Sequence, residues 1–242
     1  ARADEGMWML PLLEKINSDA LRNLGSRLSP DQIYSINHSS IKDAVVQFGG
    51  GCTGEIISGS GLLVTNHHCG YGSIQALSSE EHNYLEDGYW ASSRSEEIPV
   101  PGLSVKFLQK MTDVTGKVKD EKSADALIAK AVKENPHCTA QIVSFFNDNV
   151  QYLVIYKVYR DVRFVGAPPA ASGKFGGDTD NWMWPRHTCD FSMFRVYAGA
   201  DNEPADYSES NVPMVPRQFL NISLKGIQEG DFAMIMGYPG RT

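Results

Sequence analysis

Two residues far apart in the sequence, His68 and Asp190, have the types and surroundings that proton transfer requires. His68 follows a glycine-rich hairpin and is enclosed by Cys52 and Cys69, so a disulfide between these cysteines would lock the turn that carries the imidazole. A histidine that acts as general base needs a carboxylate, which fixes its tautomer and stabilises the imidazolium formed in the transition state. Asp190 precedes a segment with strand character, residues 191–197, and is the candidate for this carboxylate.

The order of these groups is similar to that in trypsin-like serine peptidases. In those enzymes a cysteine and a hairpin come first, and the base is the histidine of the Thr-x-x-His-Cys segment that follows. The aspartate stands at the start of a strand with the pattern Asp-apolar-small-apolar-apolar-basic-apolar. Residues 65–69 and 190–196 match both patterns. Asp178 and Asp180 are alternative carboxylates, but they lie in a loop with no strand directly after them. His67 stands where those enzymes usually have a small residue.

The sequence has no serine in the Gly-Asp/Asn-Ser-Gly context whose backbone N–H groups also form the oxyanion hole. Ser60 lies between two glycines, but that setting is typical of a hairpin tip. The Gly-x-Ser-x-Gly elbow of other hydrolases is missing as well. We therefore expect the nucleophile to follow Thr242, on a second barrel.

Composition limits the classes of partner. With 42% hydrophobic and 21% charged residues in 242 positions, the chain can bury a sizeable core. The net charge of −7, without a basic run, argues against nucleic acid. The sequence contains no apolar run of the length that spans a bilayer.

The four cysteines occur in no Cys-x-x-Cys pair, which favours two disulfides over a zinc knuckle or a redox pair. Because the number of cysteines is even and Cys52 would pair with Cys69, Cys138 and Cys189 are left as the second pair. Disulfides indicate an oxidising compartment, and residues 1–6 resemble a processed mature terminus, so we expect an exported, periplasmic protein. Four buried cytosolic thiols are the alternative.

A metal site is a further alternative. Its ligands would be Cys52, His67, His68 and Cys69. Adjacent histidines rarely bind one ion together, so we expect neither a metal nor another cofactor.

Hydrophobic periodicity predicts a chain rich in strands. Helices are predicted over 7–28 and 123–135, with a short helix opening at 78. Strands are predicted over 44–48, 56–57, 62–65, 104–108, 140–146, 150–163, 191–197, 219–223 and 231–236. Residues 70–73 are expected to be too flexible to form a strand, and a long irregular loop is predicted over 167–185.

Motifs spread along the chain also carry a family resemblance. They lie at residues 3–8, 43–46, 51–55, 65–71, 81–85, 165–169 and 173–188. In these segments the chain resembles the bacterial dipeptidyl-peptidase 7 and 11 group, serine peptidase family 46. The resemblance covers nearly the whole sequence.

The resemblance implies the first half of a double-barrel peptidase. The fold would be mainly β with short helices: a trypsin/chymotrypsin-like β-barrel over 44–242, a helical segment over 1–43 packed on it, and a substrate-amine loop at 166–189. The second barrel and a helical domain would be absent from this chain. His68 would be the base and Asp190 its orienting carboxylate, while Asn181 and Trp182 would hold the substrate's α-amino group.

We therefore expect the N-terminal part of an exported serine dipeptidyl-peptidase that removes dipeptides from free N-termini of oligopeptides. Its partners would be the peptide, the rest of the same polypeptide and a second copy in a homodimer. By itself, this chain would be inactive. The alternatives are a non-catalytic trypsin-like module that binds peptides and a metal-binding protein.

Overall fold

The computed structural model describes residues 7–146, 149–177 and 187–239, which form one antiparallel sheet with short helices around it. The strands are β1 (Val45–Phe48), β2 (Cys52–Ile56), β3 (Leu62–Thr65), β4 (Tyr89–Trp90), β5 (Ile98–Pro99), β6 (Val105–Asp113), β7 (Cys138–Phe145), β8 (Val150–Tyr159), β9 (Asp161–Ala167), β10 (Ser192–Ala198) and β11 (Val212–Pro213). The predicted fold class, mainly β with short helices, is confirmed.

The helices are brief and lie between the strands. They are α1 (Ser18–Asn23), α2 (Pro30–Ile33), α3 (His67–Leu77), α4 (Tyr84–Asp87), α5 (Glu121–Glu134) and α6 (Ala170–Gly173), with 3-10 turns at Leu10–Leu12, Ile41–Asp43 and Arg94–Glu96 and a π turn at Leu13–Asn17. Within the described part of the chain, these helices are too short or too polar to cross a membrane.

Part of the sheet closes on itself, and we call this part the ring. β1 pairs with β2 and β6, β2 with β3, and β3 with β10. β8 and β9 are separated only by Arg160, and β8 pairs with β6 while β9 pairs with β10. The long strand β8–β9 therefore joins the two ends of the sheet, and the ring consists of β1, β2, β3, β6, β8, β9 and β10.

The ring encloses the main hydrophobic core, because alternate side chains of each strand point inward. Inward-facing residues include Val46, Ile56, Leu63, Phe164, Phe194 and Val196. The Phe194 ring centroid lies 4.8 Å from that of Phe48 and 5.5 Å from that of Phe164. The strand that follows Asp190 is thereby anchored through the centre of the core.

A second region, residues 108–156, extends the sheet beyond the ring, and we call it the extension. Here β6, β8 and β7 form three neighbouring strands. Helix α5 covers one face, where Ala131 packs on Leu153 and Ile155. The N-terminal segment covers the other face through Met9. Helix α5 was predicted over 123–135, and its capping residue Asp120 accepts a hydrogen bond from the N–H of Ser123 at 2.8 Å.

The predicted helix over 7–28 is shorter and less regular than expected. It consists of a 3-10 turn, a π turn and α1, and it ends at Asn23. Its apolar face is nevertheless used, because Leu13 and Leu21 are buried against Ile33 of α2.

The predicted strands 219–223 and 231–236 are wrong. Neither segment forms regular secondary structure, and no strand among the described residues lies beside it to complete a ladder. The N–H of Leu220 donates to the carbonyl of Ile56 at 2.8 Å, and the N–H of Tyr238 donates to Thr53 Oγ1 at 2.8 Å. The segment therefore touches the ring at separate points, while Ile235 is fully exposed.

Candidate active site

His68 lies at the beginning of α3, where the chain leaves β3. Residues 70–73 were predicted to be too flexible for a strand, and they lie in helix α3 although Gly70 and Gly72 disfavour a helix. The structure shows why glycine is needed at position 70: a Cβ there would lie 2.6 Å from Ser192 Oγ and 3.2 Å from the Phe194 ring. Helix α3 can therefore pack directly against the beginning of β10.

The register between β3 and β10 brings the two predicted groups to the same end of the ring. Thr65 is the partner of Ser192, so the residues just beyond these strand ends are neighbours. Ser192 Oγ also donates to the carbonyl of Asn66 at 2.9 Å. Hydrogen bonds thus join the segment before His68 to the strand after Asp190.

The Asp190 carboxylate is bound by three donors. His68 Nδ1 lies 2.8 Å from Oδ2, the backbone N–H of His68 donates to Oδ1 at 3.1 Å, and the Asn66 side-chain amide donates to Oδ2 at 3.2 Å. An ionised carboxylate only accepts hydrogen bonds, so in a neutral imidazole this contact favours the tautomer with the proton on Nδ1 and the lone pair on Nε2. The His68 side chain is 59% exposed and that of Asp190 is 17% exposed. This is the orientation in which an imidazole can act as general base.

The Cys52–Cys69 disulfide is present, as the sequence predicted. It joins the first residue of β2 to α3, one position after His68. Closing a loop of this length stabilises a fold by about 3 kcal/mol in the chain-entropy description. Both thiols are consumed in the bond, so the alternative zinc site loses two of its four ligands.

The predicted Cys138–Cys189 disulfide is wrong, since both cysteines are free. Cys138 begins β7 and packs in the extension under α5. Cys189 is exposed beside α6, where its N–H donates to the carbonyl of Ser172 at 2.9 Å. An even cysteine count carries no information about which residues the fold brings together.

The two adjacent histidines face different environments. His67 is 1% exposed, and burial lowers the pKa of its imidazole, with a hydrogen bond to the Pro168 backbone acting in the opposite direction. Its Nε2 has no hydrogen-bond partner. His67 is therefore a neutral, buried ring next to the exposed base.

Ser60 lies at the hairpin between β2 and β3, at the opposite end of β3 from His68. Its hydroxyl and carbonyl oxygens both accept hydrogen bonds from Arg195 Nη1, at 3.0 and 2.8 Å. Arg195 is itself held by the buried Glu97, with Nε 2.8 Å from Oε1. Burial, together with Glu97, raises the pKa of Tyr197 to about 12. Ser60 thus belongs to a structural polar cluster.

The predicted amine-binding residues, Asn181 and Trp182, lie outside the described residues. So do the alternative carboxylates Asp178 and Asp180.

Sequence reasoning missed Asn66. Its position before a helix is a known preference of asparagine, but its side chain caps nothing and binds Asp190 instead. Only knowledge of the β3–β10 register could have revealed that partner.

Comparison with known proteins gives one consistent result. The profile of the peptidase S46 family matches residues 3–242. The chain is 53% identical to dipeptidyl-peptidase 7 of Phocaeicola vulgatus, over all of this chain and 36% of that protein. It is 49% identical to an Asp/Glu-specific dipeptidyl-peptidase of Flavobacterium psychrophilum, over 98% of this chain and 35% of that protein.

The solved structures agree with the sequence relatives. The crystal structure of Porphyromonas endodontalis DPP11 in complex with the dipeptide Arg-Glu superposes with a TM-score of 0.88 at 44% identity, covering 95% of this chain and 35% of that one. The chain thus spans little more than a third of the length of these relatives. The predicted resemblance is confirmed: this chain belongs to the peptidase S46 family.

Proposed function

We propose that this chain carries the histidine and aspartate of a serine dipeptidyl-peptidase, whose nucleophilic serine belongs to the remainder of the polypeptide. The observation that carries this proposal is the 2.8 Å contact between His68 Nδ1 and Asp190 Oδ2, with the imidazole exposed. The relatives support the release of dipeptides as the reaction, since they are named dipeptidyl-peptidases and some of them Asp/Glu-specific dipeptidyl-peptidases.

The first half of the proposed cycle has two proton transfers at His68 Nε2. Nε2 first removes the proton of the serine hydroxyl as its oxygen attacks the peptide carbonyl, and then gives that proton to the leaving amine. Asp190 stays ionised and stabilises the imidazolium between these steps. In the second half of the cycle, Nε2 takes a proton from the water that attacks the acyl-enzyme and gives it to the serine oxygen as the ester bond breaks, which releases the dipeptide.

The loop over 166–189 is proposed to give the enzyme its exopeptidase character. Asn181 and Trp182 would bind the free α-amino group of the peptide, because an amide oxygen accepts from an ammonium group and an indole face attracts a cation. A peptide with a blocked N-terminus should therefore be a poor substrate.

The disulfide supports export. Disulfides persist in oxidising compartments such as the periplasm and are rare in the cytosol, and Cys52–Cys69 is formed. A homodimer remains a prediction; analytical ultracentrifugation of the full-length protein tests it.

The test compares the full-length protein with its His68→Ala variant on peptides with free and acetylated N-termini. We expect the full-length protein to release dipeptides only from the free peptides, and His68→Ala to lose this activity. Release that survives in His68→Ala would contradict the assignment. Peptide binding without release by the unmodified protein would instead favour the non-catalytic binding module.

A further inference from the structure

His67 is a buried polar residue that the proposed cycle does not use. Its ring lies against the backbone of Gly173, the last residue of α6: a Cβ at Gly173 would lie 2.5 Å from His67 Cγ and 2.6 Å from Cδ2. Such distances are below van der Waals contact, so only glycine fits here while the imidazole keeps its place. The His67 ring is therefore one of the surfaces that support α6, together with α4 and the main core.

Helix α6 in turn holds the residue before the orienting carboxylate. The carbonyl of Ser172, next to Gly173, accepts the N–H of Cys189 at 2.9 Å. Cys189 is bonded directly to Asp190. A continuous path of contacts thus leads from the His67 ring through α6 to the backbone of Asp190.

The path returns to the helix from which it started. Asp190 accepts from the backbone N–H of His68 at 3.1 Å, and His68 is bonded to His67. The two neighbouring imidazoles are thus linked to Asp190 in different ways: the His68 ring contacts the carboxylate directly, whereas the His67 ring is linked to it only through α6 and Cys189. A displacement of α6 would move Cys189 relative to α3, and with it the carboxylate relative to Nδ1.

An uncharged His67 ring is well suited to support α6 next to the catalytic histidine. A buried imidazolium would present a second N–H for which Nε2 has no acceptor. It would also repel the imidazolium that forms on His68 during the cycle.

We propose that His67 is a positioning residue: its ring seats α6 and, through the Ser172–Cys189 hydrogen bond, sets the distance between Asp190 and His68. The inference rests on the proposed function, because its consequence is read from catalysis. It assigns a role to the position at which trypsin-like enzymes usually have a small residue.

The experiment is a double-mutant cycle in the full-length protein, with Gly173→Ala, His67→Ala and the double variant. Gly173→Ala should lower kcat/KM about a hundredfold, the loss expected when a catalytic group is misplaced by about 1 Å. The double variant should recover at least about tenfold over Gly173→Ala, because the shortened side chain leaves room for the new methyl group. Gly72→Ala is the matched control: it adds a methyl group to α3 where no atom lies within 4 Å, and it should leave kcat/KM unchanged.

The pH dependence of kcat/KM separates positioning from general damage. A carboxylate that has moved away stabilises the imidazolium less, so the acidic limb of the profile should move to lower pH in Gly173→Ala. In the double variant it should return only as far as the smaller shift that His67→Ala shows by itself. If part of the protein were simply unfolded, kcat/KM would fall by the same factor at every pH, and the position of the acidic limb would not change. Equal activity of Gly173→Ala and the unmodified protein, or no recovery in the double variant, would overturn the proposal.

If Gly173→Ala does not fold, His67→Ala and His67→Phe decide. His67→Phe keeps a ring against Gly173 and should retain the position of the acidic limb, whereas His67→Ala should shift it. Identical profiles for both variants would overturn the proposal. Absence of dipeptide release from the unmodified protein is a different outcome, since it would refute the proposed function itself.

Discussion

The ring and the extension are built from the same antiparallel strands, yet they hold their cores in different ways. In the ring, strands surround the core on all sides, and Ile56, Leu63 and Phe194 are completely buried. In the extension, a single sheet layer is covered by α5 on one face and by the N-terminal segment on the other. In this region Leu153 and Ile155 are 9% and 7% exposed to solvent.

His68 and Asp190 both lie just beyond the ends of two ring strands, β3 and β10, whose positions are fixed by the core and by the disulfide. A general base must stay within hydrogen-bond reach of its partner, and loss of about 1 Å is costly. Placing the pair on the closed part of the sheet meets this need. We therefore expect changes in the packing of the extension to leave the two groups undisturbed.

The largest effect is expected at Asp190. In the full-length protein, Asp190→Asn should lower kcat by about ten-thousandfold, the scale seen when the carboxylate of a catalytic triad is replaced by an amide. The amide presents the wrong group to Nδ1 and no longer stabilises the imidazolium. Rates of dipeptide release measure the effect, and a variant within tenfold of the unmodified enzyme would refute the role of Asp190.

Core truncations compare the two regions directly. Phe194→Ala in the ring should cost about 3–5 kcal/mol of unfolding free energy, and Ile155→Ala in the extension about 2–5 kcal/mol. Only the first should also lower kcat/KM of the folded protein, because Phe194 anchors the strand after Asp190. Denaturant titration combined with kinetics tests this, and equal kinetic losses would show that the distinction between the regions is wrong.

The disulfide ties helix α3 to the ring, and its removal should lower the stability of the protein. A Cys52→Ala/Cys69→Ala variant should lose about 3 kcal/mol of stability, because its unfolded chain is no longer cross-linked. Cys138→Ser in the extension is the control and should be far less affected, since that thiol is free. Thermal unfolding with and without reductant measures both. If reductant leaves the unmodified protein unchanged, the bond contributes nothing.

The smallest effect concerns pH. Because burial lowers the pKa of His67, the unfolded chain takes up a proton at this residue before the folded chain does as the pH falls. Stability should therefore decrease below the ordinary histidine pKa of about 6.5, by about 1.4 kcal/mol for each unit of pKa difference. The slope of unfolding free energy against pH should be flatter in His67→Phe than in the unmodified protein. Equal slopes would show that His67 takes up its proton equally in both states.

The regular parts of both regions could be predicted from sequence because their signals are local. The period of α5, the alternation in β8 and the hairpin between β2 and β3 all follow from neighbouring residues. The cysteines around His68 and the strand after Asp190 similarly indicated a paired base and carboxylate.

The remaining features depend on contacts between distant segments. Gly70 and Gly173 occur in helices because the backbone there must lie close to Ser192 and His67, respectively. Helix propensity would instead predict that neither glycine lies in a helix. The partner of Asn66 depends on strand register. Residues 219–223 and 231–236 have strand patterns, but a pattern cannot supply the neighbouring strand.

The central claim is that Asp190 holds the proton on His68 Nδ1 and leaves Nε2 as the base. Proton NMR of the full-length protein tests it through the strongly deshielded resonance that an imidazole N–H bonded to a carboxylate produces. We predict one such resonance that titrates with pH, is lost in His68→Ala and Asp190→Ala, and persists in His67→Phe. A resonance that survives in Asp190→Ala, or its absence from the unmodified protein at every pH, would contradict the claim.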